Sequence, residues 1–202
     1  MNRSNLVWII VGVIAGLAVV AGAALAKPYS VRGSLIDPPV PAQDFTLTDG
    51  QGADWRLSDQ QGKLVLIFFG YTTCPDICPA TLGTMQQVRA RLGAQANDVQ
   101  VVFVTVDPQR DTPDRIGKYV AAFDPTFVAL TGSEAELEPV WKAFGVWRAI
   151  NENAGGAGYL VDHSTRTYMI DRAGNLRATF SFGTPLEDLV QDMRHFLKEK
   201  AP

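Results

Sequence analysis

Cys74 and Cys78 are the only two cysteines of a 202-residue chain, and they sit in Gly70-Tyr71-Thr72-Thr73-Cys74-Pro75-Asp76-Ile77-Cys78-Pro79. A thiolate is both a nucleophile and a soft metal ligand, so this pair can either exchange disulfides or hold a metal. The apolar run Leu64 to Phe69 ahead of it predicts a buried strand, and Pro79 just past Cys78 is compatible with the first turn of a helix. The thiols are therefore expected at a strand-to-helix junction, where outward-pointing backbone N–H groups favour the charged sulfur. Asp76 opposes that effect.

The elements that position the pair are legible on both sides of it. Turn residues Asp49-Gly50-Gln51-Gly52, flanked by Phe45, Leu47 and Trp55, predict a first hairpin. Behind the cysteines, Leu82, Met85, Val88 and Leu92 recur at helical spacing until Gly93. Val99 to Val106 is a second buried strand, and Asp111-Thr112-Pro113 supplies an N-cap and first-turn proline for a helix carrying Ile116, Tyr119, Val120 and Phe123. Phe127 to Leu130 predicts a third strand, and Ser133-Glu134-Ala135-Glu136 a capping box for the next helix. Tyr168 to Asp171 and Leu176 to Ser181 form a hairpin across Arg172-Ala173-Gly174-Asn175. Thr184-Pro185-Leu186-Glu187 reads as a second capping box, opening a last helix with Leu186, Leu189, Val190, Met193 and Leu197 on one face. Buried strands alternating with helices predict an α/β sandwich with a central mixed sheet. The glycine-rich segment Ala149 to Tyr159 breaks the alternation and is expected to be an insertion.

Leu6 to Ala26 carries no charge and is long enough for one N-terminal transmembrane helix. The resulting expectation is a short cytoplasmic N-terminus at 1–5, an anchor at 6–26, a Pro- and Gly-rich tether at 27–41 and a folded domain at 42–202. The rival reading of the apolar stretch is a cleaved signal ending at Ala24-Leu25-Ala26. A net charge of −3 and a pI near 5.3, without a basic cluster, argue against a nucleic-acid partner. A single cysteine pair is not a stapling framework for a domain of this size.

Of the two histidines, His195 falls on the solvent side of the last helix and is expected to be inert. His163, in Val161-Asp162-His163-Ser164, precedes the final hairpin; the residues alone leave open a surface histidine or a third ligand. Asp162 beside it would point away in an extended chain. Met85, Met169 and Met193 fall in apolar patterns that predict core packing rather than ligation, and Asp107 reads as a turn residue.

Three separated segments carry a resemblance: Tyr71 to Pro79, then Val104-Thr105-Val106-Asp107-Pro108-Gln109-Arg110-Asp111-Thr112-Pro113, then Val161-Asp162-His163-Ser164 leading to Tyr168-Met169-Ile170-Asp171. Together they closely resemble the Sco/SenC family over roughly residues 40 to 200. The resemblance implies a thioredoxin-like fold on a membrane anchor and one copper ion, as Cu(I) or Cu(II), held by Cys74, Cys78 and His163. It also implies a role in assembling the binuclear copper centre of cytochrome c oxidase. The implied partners are the oxidase's copper-bearing subunit and other copper chaperones. The implied place is the bacterial inner membrane, single-pass, with the soluble domain in the periplasm. The donor types agree, since two thiolates and an imidazole suit copper, whereas structural zinc would want four ligands.

Three rivals share these residues. A thiol–disulfide oxidoreductase would use Cys74 and Cys78 as its catalytic pair, reducing client cysteines before metal insertion. Thioredoxin-type enzymes, however, carry CxxC and a cis-proline, and no proline occurs between Val161 and Thr167, the stretch that holds His163. A thiol peroxidase would want Thr three positions before its reactive cysteine, where Tyr71 stands. A structural Cys74–Cys78 disulfide would close a loop too short to remove much unfolded-state entropy.

Overall fold

The computed structural model describes residues 5, 8, 9, 11–14, 29–152 and 158–199. The chain divides into two units, Met1–Ser30 and Val31–Pro202. In the first, the described residues between 5 and 14 are helical and exposed. The expected anchor at 6–26 lies largely outside the described residues, and so do most of the expected 1–5 terminus, residues 27 and 28 of the expected tether and part of the 149–159 insertion. No helix among the described residues is long and apolar enough to cross a membrane.

The second unit is an α/β layer structure around an eight-stranded mixed sheet. Its middle is β4 (Leu64–Gly70), β5 (Val99–Thr105) and β6 (Val128–Thr131), all parallel. On one side β9 (Thr167–Ile170), β10 (Asn175–Phe180) and β1 (Ser34–Pro41) follow, each antiparallel to its neighbour. On the other side β6 is followed by the hairpin β2 (Thr46–Asp49) and β3 (Asp54–Arg56). All seven residues of β4 are buried, as its unbroken apolar run requires of a strand covered on both faces.

Alternation along β4 sends Phe68 to one face and Phe69 to the other. Phe68 meets Phe103 and, through it, Tyr119 of helix α2 (Pro113–Ala121). The same face carries α1 (Ile77–Leu92), packed against α4 (Leu186–Lys198). Phe69 meets Phe144, which ends α3 (Glu134–Ala143) on the opposite face. A second, two-stranded sheet stands apart, pairing β7 (Arg148–Asn151) with β8 (Leu160–His163).

Several boundaries agree with the sequence reading, and three do not. Ser133 and Glu136 form the expected capping box. Thr184, by contrast, does not cap α4. Its hydroxyl donates to the Ser181 carbonyl at 2.8 Å, and extended Pro185 takes the N-cap position without a side-chain bond. Thr112 caps α2 with Pro113 in its first turn, as the run Asp111-Thr112-Pro113 predicts.

The expected tether is corrected over 34–41, which is an edge strand. Pro38 and Pro39 hide it because they remove N–H donors, and β1 pairs with β10 only through Ser34–Leu35 and Val40–Pro41 on either side of them. The entry to this strand is fixed by buried Asp192, which accepts from the backbone N–H of Arg32 and Gly33 at 2.9 Å each. The folded unit thus begins at Val31, ahead of residue 42. The expected insertion is likewise corrected at its start, since residues 149–151 belong to β7.

Candidate metal centre

The cysteine loop leaves the sheet at the C-terminal ends of β4 and β5, the position where open α/β sheets build their sites. The Val106 N–H donates to the Gly70 carbonyl at 2.8 Å, holding the two strand ends together as the chains diverge. Gly70 is required there, because a Cβ would lie 2.8 Å from Cys78 Sγ and 2.7 Å from the Phe103 ring. The loop then turns, with the Cys74 N–H donating to the Tyr71 carbonyl at 3.2 Å.

Asp76 stands at the N-cap of α1, yet its side chain caps nothing. The Cys74 sulfur takes that role, accepting from the backbone N–H groups of Asp76 and Cys78. The largest influence on it is a hydrogen bond donated by the Cys78 thiol. This bond, with the contact to the His163 imidazole and the two N–H groups, outweighs partial burial and draws the Cys74 thiol down to about 4. Cys78 is fully buried, and its thiol is pushed upward because it donates to Cys74 and lies away from water. One proton is therefore held between two free sulfurs, with the charge on the more accessible one.

An alkylation experiment checks this asymmetry. An ordinary thiol near 8.5 loses reactivity about a hundredfold from pH 8 to pH 6. Cys74 is expected to react with iodoacetamide at nearly the same rate at both pH values, while Cys78 stays unlabelled in the folded protein. A Cys74 rate that falls steeply over this range would refute the assignment.

His163 ends β8, half-buried, with its ring edge-on to Tyr71 at 5.8 Å and 82°. Its Nδ1 lies 2.7 Å from the Ser164 carbonyl, which places the proton on that nitrogen and leaves Nε2 as the donor atom for a metal. Asp162 is exposed and opposes Ala149 across the hairpin, so it points away from the ring's partners. Cys74 and His163 share an open cleft of about 310 Å³ with Tyr71, Ile77, Trp147 and Val161. Among the described residues no three His, Cys, Asp or Glu side chains form a ready metal cage. Cys74 is instead the common neighbour of two separate contacts, one to Cys78 and one to His163.

Among the remaining candidates, the methionines fall where the sequence put them. Met85, Met169 and Met193 are buried in the core. His195 is on α4 against Phe196, with Glu199 at 3.5 Å, outside the lining of the cleft. Asp107 is buried, with one oxygen accepting from the Tyr159 hydroxyl at 2.7 Å and the other taken by Arg110.

Four residues around the site escape a reading based on donor types. Asp111 is fully buried and accepts from the Thr72 N–H at 3.1 Å, the Thr72 hydroxyl at 2.6 Å and the Thr105 hydroxyl at 2.7 Å. It thereby ties the cysteine loop to the end of β5. Tyr71 lends its ring to His163 and its hydroxyl to the Val161 N–H at 3.3 Å. Arg110 and Tyr159 form a stacked pair beside it. The signal for Asp111, Arg110 and Tyr71 was their place in runs directly after a buried strand; Tyr159 carried none.

The family model described as SCO1/SenC matches residues 36–198. An SCO2-like protein of Rickettsia felis is 37% identical over 156 residues, covering 77% of this chain and 74% of its own. Among solved structures, ScoI of Bradyrhizobium japonicum with copper bound is 34% identical, with a TM-score of 0.72, over 78% of this chain and all of that one. BsSco, described as a Sco-family cytochrome c oxidase assembly protein with a disulfide switch, is 27% identical with a TM-score of 0.62, over 81% of this chain and 96% of its own. These superpositions make the α/β fold with its mixed central sheet thioredoxin-like. A family match running from β1 into α4 takes in the sheet, the cysteine loop and the histidine strand, and the protein belongs to the SCO1/SenC family.

Proposed function

We propose that this protein is a copper metallochaperone that carries one copper ion as cargo on Cys74, Cys78 and His163. On this reading it delivers the ion to the binuclear copper centre of cytochrome c oxidase. The observation that carries the reading is the Cys74 sulfur, already charged and in contact with both other donors at the mouth of an open cleft. Two thiolates and an imidazole are a soft set suited to copper. Loading releases the proton of Cys78. A site open on one side also leaves room for an incoming ligand, which transfer of a metal between proteins requires. The likeness to the copper-bound Bradyrhizobium protein supports the cargo, and the likeness to BsSco supports the client.

On the same reading, residues 6–26 anchor the chain in a bacterial inner membrane with the folded unit in the periplasm, where the oxidase's copper-bearing subunit and other copper chaperones are its partners. The experiment is copper titration of the purified protein, followed by its thiolate-to-copper absorption. One equivalent is expected to bind. Replacing either cysteine by Ser should abolish the band, while His163→Ala should weaken affinity at least tenfold, since both thiolates remain. Binding unaffected by His163→Ala would remove the histidine from the ligand set.

A second reading is favoured by one feature, the charged, accessible Cys74 backed by a buried, protonated Cys78. Such a pair can reduce a client disulfide. The Cys74 thiolate attacks one client sulfur and releases the other as a thiolate. Cys78 then loses its proton and attacks the Cys74 sulfur, expelling the client sulfur bound to it as a thiolate, so two electrons pass to the client and Cys74–Cys78 closes as a disulfide. His163→Ala separates the readings, because it should impair copper binding and leave the exchange intact.

A further inference from the structure

The strand that carries His163 belongs to the small β7–β8 sheet, which makes no ladder with the main sheet. Its position against the cysteines is set by the short link 164–166 to β9 on one side and, at its other end, by side chains. Three of them converge at the root of β8. Asp107 and Arg110, from the turn after β5, form an ion pair; the Arg110 side chain is 17% exposed and that of Asp107 2%. Arg110 stacks flat on the Tyr159 ring, 3.7 Å from its centroid, and donates to the Tyr159 backbone carbonyl at 2.8 Å. The Tyr159 hydroxyl closes the circuit by donating to Asp107 at 2.7 Å. Tyr159 immediately precedes β8, so this ring of contacts grips the chain where it enters the strand.

The grip reaches the imidazole by a second route. The Arg110 guanidinium lies 5.6 Å from the Tyr71 ring, the same ring that stands edge-on to His163. Tyr71 also holds β8 through the Val161 N–H. Arg110 thus touches Asp107 in its own turn after β5, Tyr159 at the foot of the hairpin strand and Tyr71 in the cysteine loop. A guanidinium can do all this at once because its flat face stacks while its edge donates; an ammonium cannot.

We propose that Arg110 and Tyr159, seated on Asp107, form a latch that holds the His163 strand against the cysteine pair and so sets how fast the cargo ion leaves. Both are positioning residues, acting through the hairpin. The proposal rests on the copper reading of the site, and its test separates the two. Arg110→Lys keeps a cation beside buried Asp107, so the fold survives, but loses the stack and the fork. Tyr159→Leu removes the ring and hydroxyl from the other side.

Two measurements on the full chain decide the matter. In hydrogen exchange of the metal-free protein, the segment 160–164 is expected to open about tenfold more often in either variant, with β4 and β5 unchanged. Transfer of Cu(I) from the loaded protein to a colorimetric chelator should accelerate by a similar factor, with the thiolate-to-copper band unmoved. The double variant should be no worse than about either single one, because the residues act as one unit.

Unchanged exchange at 160–164, or an equal rise in β4 and β5, would overturn the latch. So would release at the wild-type rate, or a shifted band marking an altered ligand set. If the wild-type protein holds no copper while segment 160–164 still responds, the latch stands and the copper reading falls.

Discussion

Gly70→Ala is expected to cost the fold about 3 kcal/mol and to lose the copper site with it. The added methyl would sit 2.7 and 2.9 Å from two atoms of the Phe103 ring and 2.8 Å from Cys78 Sγ. None of these can yield cheaply. Phe103 is fully buried between Phe68 and Tyr119, and Cys78 is fixed in the first turn of α1. Gly70 itself is pinned, because its carbonyl accepts from Val106 and it lies in register opposite Thr105. Relief would have to move α1 away from the sheet, carrying Cys78 from Cys74 and exposing core surface. Urea unfolding of the metal-free variant reads the first effect and copper titration the second. Gly83→Ala is the matched control, since that methyl meets nothing within 4 Å and lies inside α1. It should be neutral or stabilising by up to about 1 kcal/mol. A Gly70→Ala protein as stable as wild type would mean that the packing around Cys78 is looser than these distances imply.

The parts of this site that could be read in the sequence are those whose signal is local. The run from Leu64 to Phe69 has no polar interruption, so its burial on both faces follows from composition alone, and the cysteines after it had to fall at a strand end. Ser133 and Glu136 cap their own helix because both partners lie within four residues. Asp111 could not be read that way. Its neighbours Thr112 and Pro113 make a local cap look complete, whereas its carboxylate reaches Thr72, 39 positions earlier in the chain. The same holds for β1, whose pairing partner β10 lies far along the chain and whose prolines mimic a linker. His163 was readable as a residue but not as a placed group. What positions it is the Tyr71 ring, the Ser164 carbonyl and the grip on Tyr159, all of them contacts that no periodicity encodes.

Asp111→Ala is expected to be as damaging as any single change near the site, at about 3 kcal/mol, and for a different reason. The carboxylate accepts three hydrogen bonds inside the protein, and its loss leaves the Thr72 N–H and two hydroxyls facing a cavity. The cysteine loop would lose its tie to β5, so copper affinity should fall together with the unfolding free energy. Asp111→Asn separates charge from shape. The amide oxygen can still accept from the Thr72 N–H, so the loss should be nearer 1 kcal/mol. Its pH dependence then follows from the direction in which the carboxyl is displaced. Burial raises it above its ordinary value, and the hydrogen bonds from Thr72 and Thr105 only partly oppose this. For a carboxyl raised by folding, the protonated form is favoured in the native state. Its stabilising share is complete below the ordinary value near 3.8 and is lost as pH rises through the folded value. The Asn side chain has no such dependence. The stability gap between wild type and Asp111→Asn should therefore narrow as pH increases from about 4 towards neutrality. A gap that widens instead would mean that the three donors outweigh the burial and that the native fold prefers the charge.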